Sequence, residues 1–208
     1  MKKISVIIAL MLVSVLTAQN PQIQQLEQLV KQNPNDASLH LNLGKLQYQE
    51  VMKGEKSMLK PAIANLKKAT KLDKENSNAF CWYGSSIVMK AKYALFPPMK
   101  VYYVFAGLAE MDKAVKLDEN NVENRFIRGQ TCLGIPSFFG RTKTALEDFT
   151  SLETMMTYAP DKFDNDDKAS ILYYLGKAYK ANGDSEKADA YFARIKTDFS
   201  DTTIAGKL

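Results

Sequence analysis

The sequence shows no arrangement of residues that is typical of a catalytic site. The sequence of 208 residues contains one histidine, His40, and two cysteines, Cys81 and Cys132. A histidine works as a general base when a nucleophile and an orienting carboxylate lie beside it, and the residues around His40 do not supply that set. We therefore interpret His40 as a partly buried packing residue, and we predict a protein that is not an enzyme and has no cofactor.

The two cysteines allow two interpretations. Cys81 and Cys132 lie far apart and neither belongs to a C-x-x-C pair, so a zinc site with four ligands is not expected. A disulfide between them is possible in an oxidising compartment. A free cysteine on a helix usually behaves as a small buried apolar residue, and we favour two buried thiols.

The best candidate for a cation site is the acidic stretch DKFDNDDK at residues 161–168. Calcium loops place their ligands at alternate positions, with a glycine at the turn and a terminal Glu, and this stretch lacks these features. Acidic side chains are also favoured in the first turn of a helix, where the helix dipole is positive. We interpret Asp166 and Asp167 as residues of a helix N-terminus and predict no metal site.

The overall composition is that of a globular domain without a basic binding stripe. Hydrophobic residues make up 46% of the chain and charged residues 25%, which suits a domain with a sizeable core. The formal net charge is +5, but the lysines alternate with acidic residues along the chain. Nucleic-acid-binding domains usually concentrate their basic residues, so we predict no nucleic-acid partner.

The N-terminus has the three parts of a secretory signal peptide. Lys2 and Lys3 precede an apolar stretch at residues 4–16, and Thr17-Ala18 ends it with a small residue. The apolar stretch is shorter than the roughly 20 residues of a transmembrane helix, although an uncleaved anchor is the alternative. We predict a signal peptide at residues 1–18, an exported protein that is periplasmic or secreted, and no stable membrane span after cleavage.

The rest of the chain has the pattern of repeated helices. Apolar residues recur at spacings of three and four, which predicts helices throughout. The stretches KATKLDKEN at 68–76 and KAVKLDENN at 113–121 repeat each other. A glycine follows each of them inside the next predicted helix, at Gly84 and Gly129, and Gly44 and Gly176 occupy equivalent positions. Such self-similarity predicts a chain of about four helical units.

The last unit, LYYLGKAYKANGDSEKADAYFARI at residues 172–195, resembles the tetratricopeptide repeat (TPR). Its small residues Gly176 and Ala188 allow two helices to approach closely, Phe192 fills the seam between them, and Gly183 supplies the tight turn. The resemblance implies an all-α fold, an α-solenoid of about four antiparallel helix pairs with a capping helix at residues 21–32. We assign residues 19–208 to one TPR-like domain, with units at about 37–76, 77–121, 122–165 and 166–200.

Units one to three are longer than the last unit, and unit two carries the largest insertion. There the apolar stretch FPPMKVYYVFAGLAEM at residues 96–111 has two prolines directly after its first residue, and prolines are tolerated in the first turn of a helix. We predict that this stretch forms a long second helix from Pro98 to about Leu117. Tyr102, Tyr103 and Phe105 have no counterpart in the last unit.

The resemblance also implies where a partner binds. In TPR proteins the first helices line a concave groove, and the residues that map there mix aromatic, amide and lysine side chains, which suits a peptide or an acidic segment. We therefore predict a non-catalytic scaffold that binds a protein or peptide, and we leave homo-oligomerisation open. The mapped groove residues are Lys45, Tyr48, Asn78, Ser85, Met89, Phe126, Gln130, Tyr173, Lys177 and Lys180.

Two further alternatives stay open at this point. Phe138 and Phe139 lie in a short loop, where they either close the core of unit three or form an aromatic contact for a partner, since loops usually lie at the surface. The alternative function is a small-molecule-binding or transport-accessory protein. Its cavity would lie around the helices of unit two and be lined by Tyr102, Tyr103 and Phe105.

Overall fold

A computed structural model describes residues 20–208, and the predicted signal peptide at residues 1–18 lies outside them. In the described part of the chain the regular structure consists of helices alone, which confirms the all-α prediction. Four short 3-10 helices lie between or after the α-helices. The α-helices are α1 (Pro21–Gln32), α2 (Ala37–Met52), α3 (Leu59–Leu72), α4 (Ser77–Tyr93), α5 (Pro97–Leu117), α6 (Val122–Gly134), α7 (Thr142–Tyr158), α8 (Asn165–Ala181) and α9 (Ser185–Asp198).

Consecutive helices pack in pairs, and the pairs stack side by side. The pairs are α2–α3, α4–α5, α6–α7 and α8–α9, and α1 packs against α2 at the N-terminal end. The first helices of neighbouring pairs also contact each other, from α2 through α4 and α6 to α8. The architecture is therefore the predicted α-solenoid, with an inner layer of first helices and an additional helix at residues 21–32.

Each first helix of a pair begins at an Asp or Asn that caps its N-terminus. The side chains of Asp36, Asn76, Asn121 and Asp164 each accept a hydrogen bond from a backbone N–H in the first turn of α2, α4, α6 and α8. These side chains satisfy donors that have no partner within the helix. At α8 the carboxylate of Asp167 also accepts from the Asp164 backbone N–H, so the acidic stretch caps a helix.

Glycines lie at the seams where the helices of a pair come closest. A Cβ on Gly176 would lie 2.7 Å from the Phe192 ring. In the α4–α5 pair two glycines face each other, and a Cβ on Gly84 would lie 2.5 Å from the carbonyl oxygen of Gly107. Helices α4 and α5 therefore pack backbone against backbone at this point.

The reactive residue types are buried in the packing. Cys81 and Cys132 are free and buried thiols, and burial raises the pKa of both. His40 is buried between α2 and α3, where its ring nitrogens lie 2.9 Å from the Asn65 side-chain oxygen and 3.1 Å from the Pro34 carbonyl oxygen. The histidine is thus a packing residue whose ring lies against two hydrogen-bond acceptors.

The apolar stretch at residues 96–111 forms the N-terminal part of α5, which begins at Pro97, one residue before the predicted start, and ends at Leu117 as predicted. Pro97 and Pro98 occupy its first turn, where the missing N–H costs no helical hydrogen bond. In the described part of the chain, we find no helix that combines the length and the apolar character needed to cross a membrane.

Candidate binding groove

A groove of about 750 Å³ lies on the inner layer of the solenoid, where α2, α4 and α6 meet the N-terminal turns of α5 and the loop after α6. Most of its wall is apolar, with a few amide, hydroxyl and ammonium groups among the apolar side chains. The lining residues are Tyr48, Gln49, Met52, Trp82, Ser85, Val88, Met89, Ala91, Lys92, Pro97, Lys100, Val101, Val104, Ile127, Gln130, Thr131, Gly134, Ile135, Pro136, Phe138 and Phe139.

The groove brings together two sets of residues that the sequence left apart. Four mapped groove positions line it, namely Tyr48, Ser85, Met89 and Gln130. The same cavity is lined by Phe138 and Phe139 of the loop after α6. The concave groove and the aromatic loop, which the sequence presented as separate contact surfaces, are therefore one surface in the structure.

Tyr48 and Ser85 lie at the base of this groove and are hydrogen-bonded to each other. The Tyr48 hydroxyl lies 2.9 Å from the Ser85 hydroxyl oxygen, so the two buried side chains join α2 to α4. Burial raises the pKa of Tyr48, and the Ser85 hydrogen bond opposes that effect in part. The Tyr48 ring also meets the edge of the Trp82 indole at a centroid distance of 5.7 Å. The base of the groove is thus an uncharged aromatic surface.

The loop after α6 is held by its own turn chemistry and by an ion pair. Residues Ser137–Phe139 form a 3-10 helix, and Gly140 ends it with φ of 72°, a conformation that glycine adopts at no steric cost. The next residue, Arg141, pairs with Asp112 on α5. Phe138 remains 77% exposed, and its ring lies tilted against that of Phe139 at 4.5 Å between ring centroids. The loop therefore exposes Phe138 to solvent and packs Phe139 against the molecule.

A buried ionic cluster lies beneath the same loop. The carboxylate of Asp148, fully buried on α7, accepts hydrogen bonds from Arg128 at 2.7 and 2.8 Å and from Arg125 at 3.1 Å. Burial raises the pKa of Asp148, while the two guanidinium groups lower it in part. Arg128 also donates to Asp112, the partner of Arg141. The cluster therefore connects α5, α6, α7 and the loop through paired charges.

Lys45 and Asn78, two other mapped groove residues, are occupied within the molecule. The carboxylate of Glu123 on α6 accepts hydrogen bonds from Lys45, from the Asn78 amide at 2.8 Å and from the Trp82 indole N–H at 3.0 Å. The Lys45 ammonium also lies 5.0 Å from the centre of the Trp82 ring. An acidic ligand therefore has to displace Glu123 before it can reach these donors.

The remaining mapped residues lie outside the apolar groove, further along the solenoid. Phe126 meets the edge of Tyr174 at 5.5 Å between ring centroids. Tyr173 packs beside Tyr174, and the Lys177 ammonium lies 5.5 Å from the centres of both tyrosine rings. Lys180 is exposed at the end of α8. These four mapped positions form a separate aromatic and basic surface, and their role in binding stays a prediction.

The expected lining of the alternative cavity was wrong in its details. Tyr102 and Phe105 are 62% and 57% exposed and do not line the groove. Tyr103 lies under Lys90, whose ammonium is 4.5 Å from the ring centre. Successive residues of a helix point about 100° apart, and Val101 and Val104 occupy the face of α5 that meets the groove. Tyr102 and Tyr103 consequently point away from this face, while Phe105, four residues after Val101, lies at its edge and packs against Phe139.

Several lining residues were not found from the sequence. Met52 and Lys92 follow Tyr48 and Ser85 at one and two helical turns, so extension of the mapped faces by this spacing would have found them. Val101 and Val104 gave no such signal, because the TPR resemblance assigns second helices to the outer layer. They reach the groove since α5 is long enough for its first turns to extend beside the inner helices.

Comparison with known proteins finds solved structures of similar fold, but no matching family model and no matching curated protein. Among solved structures the chain is similar to a thermophilic TPR protein of Thermus thermophilus, with a TM-score of 0.64 and 16% identity over 84% of this chain and 79% of that one.

Two crystal structures of the protein MamA are also similar. One has a TM-score of 0.54 and 21% identity over 84% of this chain and 79% of that chain. The other has a TM-score of 0.55 and 18% identity over 86% of this chain and 92% of that chain. At these identities the likeness concerns the backbone. Together with the helix pairs described above, it shows that this chain has the TPR-like fold, an all-α solenoid of stacked helix pairs.

Proposed function

We propose that the chain is a non-catalytic scaffold that binds a segment of another protein in the apolar groove. The observation that carries this proposal is the joining of inner-layer residues with Phe138 and Phe139 in one continuous cavity. TPR-like folds typically serve as protein-interaction scaffolds, and the groove lies on the layer that such proteins use for binding.

The lining indicates the chemistry of the segment. Aromatic and methionine side chains are enriched at protein interfaces, and methionine adapts to apolar ligands of different shape. The groove supplies Trp82, Met89 and Phe138. Lys92 and Lys100 lie in the same wall, where they favour a ligand with acidic groups. We infer that the preferred ligand carries a large apolar or aromatic residue followed or preceded by Asp or Glu.

A selection of displayed peptides on the immobilised protein tests this proposal. The informative variant is Val101→Asp with Phe138→Asp, which places two carboxylates in the lining at exposed positions that tolerate them. The matched control is Val122→Asp with Tyr158→Asp, whose side chains are similarly exposed and lie outside the groove. We expect an apolar and acidic consensus from the parent and the control, and its loss from the groove variant. The same consensus from all three proteins would rule the groove out.

A small-molecule ligand is the second candidate, because the groove volume of about 750 Å³ falls within the range of roughly 300–1,000 Å³ typical of small-molecule sites. Its chemistry would be that of an apolar anion, with Lys92 or Lys100 at the acidic group. Direct titration of the Trp82 fluorescence with a long-chain fatty acid separates the two candidates, because Trp82 lines the groove. Saturable binding of the fatty acid at micromolar concentration, when no displayed peptide is selected at comparable affinity, would favour the small molecule.

We also propose that the protein acts after export, in the periplasm or outside the cell. The support is the pattern of residues 1–18, with a basic start, an apolar stretch and a small residue at its end. N-terminal sequencing of the protein recovered from its native cells tests this proposal. A mature N-terminus close to Gln19 is the expected result, and an intact Met1 in the cytosolic fraction would contradict it.

A further inference from the structure

The end of the α4–α5 pair carries apolar side chains that no other part of the described chain covers. Leu95 and Phe96, which join the two helices, are 89% and 70% exposed. Met99 and Tyr102, in the first turns of α5, are exposed beside them. We call these four residues the hairpin tip. Scattered apolar side chains are normal on a protein surface, but a contiguous patch marks an interaction site.

The first turns of α5 are apolar on opposite faces. Val101 and Val104 line the groove, while Tyr102 is exposed on the opposite side of the helix, about 160° around the axis from Val104. Phe105 meets Phe139 at 5.5 Å between ring centroids, so the apolar surface continues to the loop after α6. A helix that is apolar around its circumference is normally buried, either in a core or in lipid.

The charge around the hairpin tip has one sign. Residues 76–109 contain no Asp or Glu. Lys90 and Lys92 lie in the last turn of α4, and Lys100 lies in the first turns of α5. Apolar side chains bordered by lysines suit an anionic lipid surface, because the apolar groups enter the acyl boundary while the ammonium groups meet the phosphates.

The neighbouring turn between α2 and α3 leaves the net charge of this edge unchanged. Lys56 lies 4.8 Å from the centre of the Tyr93 ring, at the end of α4. Lys53 lies in the same turn and pairs with Glu50, and Glu55 caps the 3-10 helix that follows. Two lysines and two carboxylates therefore balance in this turn, and Lys90, Lys92 and Lys100 remain as the surplus.

The chain also enters the described structure at this edge. The Asn20 amide donates a hydrogen bond to Glu50 at 3.1 Å, close to the C-terminal end of α2. Met52, two residues beyond Glu50, lines the same groove wall as Lys92 of α4. The turn after α2 and the end of α4 therefore lie at the same edge of the solenoid.

We propose that the hairpin tip docks onto an anionic lipid surface, with Leu95 and Phe96 entering the interface and Lys90, Lys92 and Lys100 at the headgroups. The apolar part of this surface is separate from the peptide-binding proposal, because Leu95 and Phe96 do not line the groove, whereas Lys92 and Lys100 belong to both surfaces. The docking holds the groove at the membrane surface and gives the scaffold a fixed orientation on it.

Vesicle co-sedimentation tests the proposal. The protein used begins at Asn20, so that residues 4–16 cannot contribute, and it retains every contact described above, with its helicity checked by circular dichroism. The vesicles contain phosphatidylcholine alone or mixed with phosphatidylglycerol. We expect binding only to the anionic vesicles, weakening as salt rises. Binding to neither kind of vesicle would overturn the proposal.

The matched variants are Leu95→Ser with Phe96→Ser at the hairpin tip and Val122→Ser with Tyr158→Ser elsewhere. Their side chains are partly or largely exposed, so neither pair should disturb the fold. Loss of two buried apolar side chains at the interface should weaken vesicle binding at least about tenfold in the tip variant and leave the control unchanged. Equal binding of parent and tip variant would contradict the proposal.

Loss of self-association in the tip variant, without vesicle binding by the parent, would assign the hairpin tip to a second copy of the chain.

Discussion

At the scale of single residues, Glu123 is the centre of a hydrogen-bond network that joins the first three helix pairs. Glu123 holds together Lys45, Asn78 and Trp82 from two other helices. The sequence mapped Lys45 and Asn78 to the groove by position in the repeat. It gave no sign that a carboxylate of the third pair would already occupy them, because that contact depends on how three helices are rotated against each other.

Replacement of Glu123 tests the structural role of this network. Glu123→Ala removes the acceptor of three hydrogen bonds and leaves the partly buried Lys45 and Asn78 without it. We expect the free energy of unfolding to fall by about 1–2 kcal/mol, measured by urea denaturation. The control is Glu119→Ala, an exposed position in the turn before α6, for which a change within about 0.5 kcal/mol is expected. Equal stability of the two variants would show that the network is unimportant for the fold.

The two cysteines should be inert in the native protein. Cys81 and Cys132 are buried and free, and burial raises the pKa of each thiol. Thiolates are the reactive form, so we expect negligible reaction with a thiol reagent at neutral pH until guanidinium unfolds the chain, when both thiols should react. Rapid modification of either thiol under native conditions would contradict the burial described here.

At the scale of the helices, small residues decide how closely the pairs pack. The repeat pattern of the last unit identified Gly176 and Phe192 as seam partners, and they meet as expected. It also gave the bounds of α1 and the end of α5. These predictions succeeded because they depend on local signals, namely N-terminal prolines, a polar turn after each helix and glycines at a fixed place in each unit.

The α4–α5 seam provides the sharpest test of this packing. A Cβ on Gly107 would overlap the carbonyl oxygen of Gly84 and the side chain of Val88. Because the obstacle is backbone, Gly107→Ala should force the helices apart and reduce the free energy of unfolding by about 1–3 kcal/mol. Thermal melting and urea denaturation measure the change.

Gly134→Ala is the control for that substitution. A Cβ on Gly134 would meet no atom within 4 Å, and its φ is not positive. The methyl group should therefore leave stability unchanged or raise it slightly, since alanine loses less backbone entropy on folding than glycine. If both variants melted with the parent protein, the close approach of α4 and α5 would not exist.

The rotation of α5 about its axis could not be predicted from local sequence signals. Sequence reasoning identified Tyr102, Tyr103 and Phe105 as residues without a counterpart in the repeat. It then assigned them to a cavity that the structure lines with Val101 and Val104 instead. The face of a helix that meets its neighbours follows from hydrophobic periodicity only when one face is polar. The first turns of α5 are apolar on several faces, so periodicity could not fix the rotation.

At the scale of the whole molecule, two surfaces adjoin at one edge of the solenoid. The groove opens on the inner layer, and the hairpin tip extends beyond it at the turn between α4 and α5. Both depend on the insertion in the second unit, because the long α5 supplies one wall of the groove and half of the tip. Deletion of that insertion should therefore affect peptide binding and vesicle binding together, while the other three helix pairs stay folded.

The most direct test of the central claim uses Trp82, the single tryptophan of the chain, which lines the groove. Titration with a peptide of the selected apolar and acidic consensus should change the Trp82 fluorescence in a saturable way. The Val122→Asp and Tyr158→Asp control should bind like the parent, and the Val101→Asp and Phe138→Asp variant should bind at least about tenfold more weakly, as expected when about 1.4 kcal/mol of binding free energy is lost. Tight binding without any change at Trp82, or equal affinity in the groove variant, would contradict the assignment of this groove as the binding site.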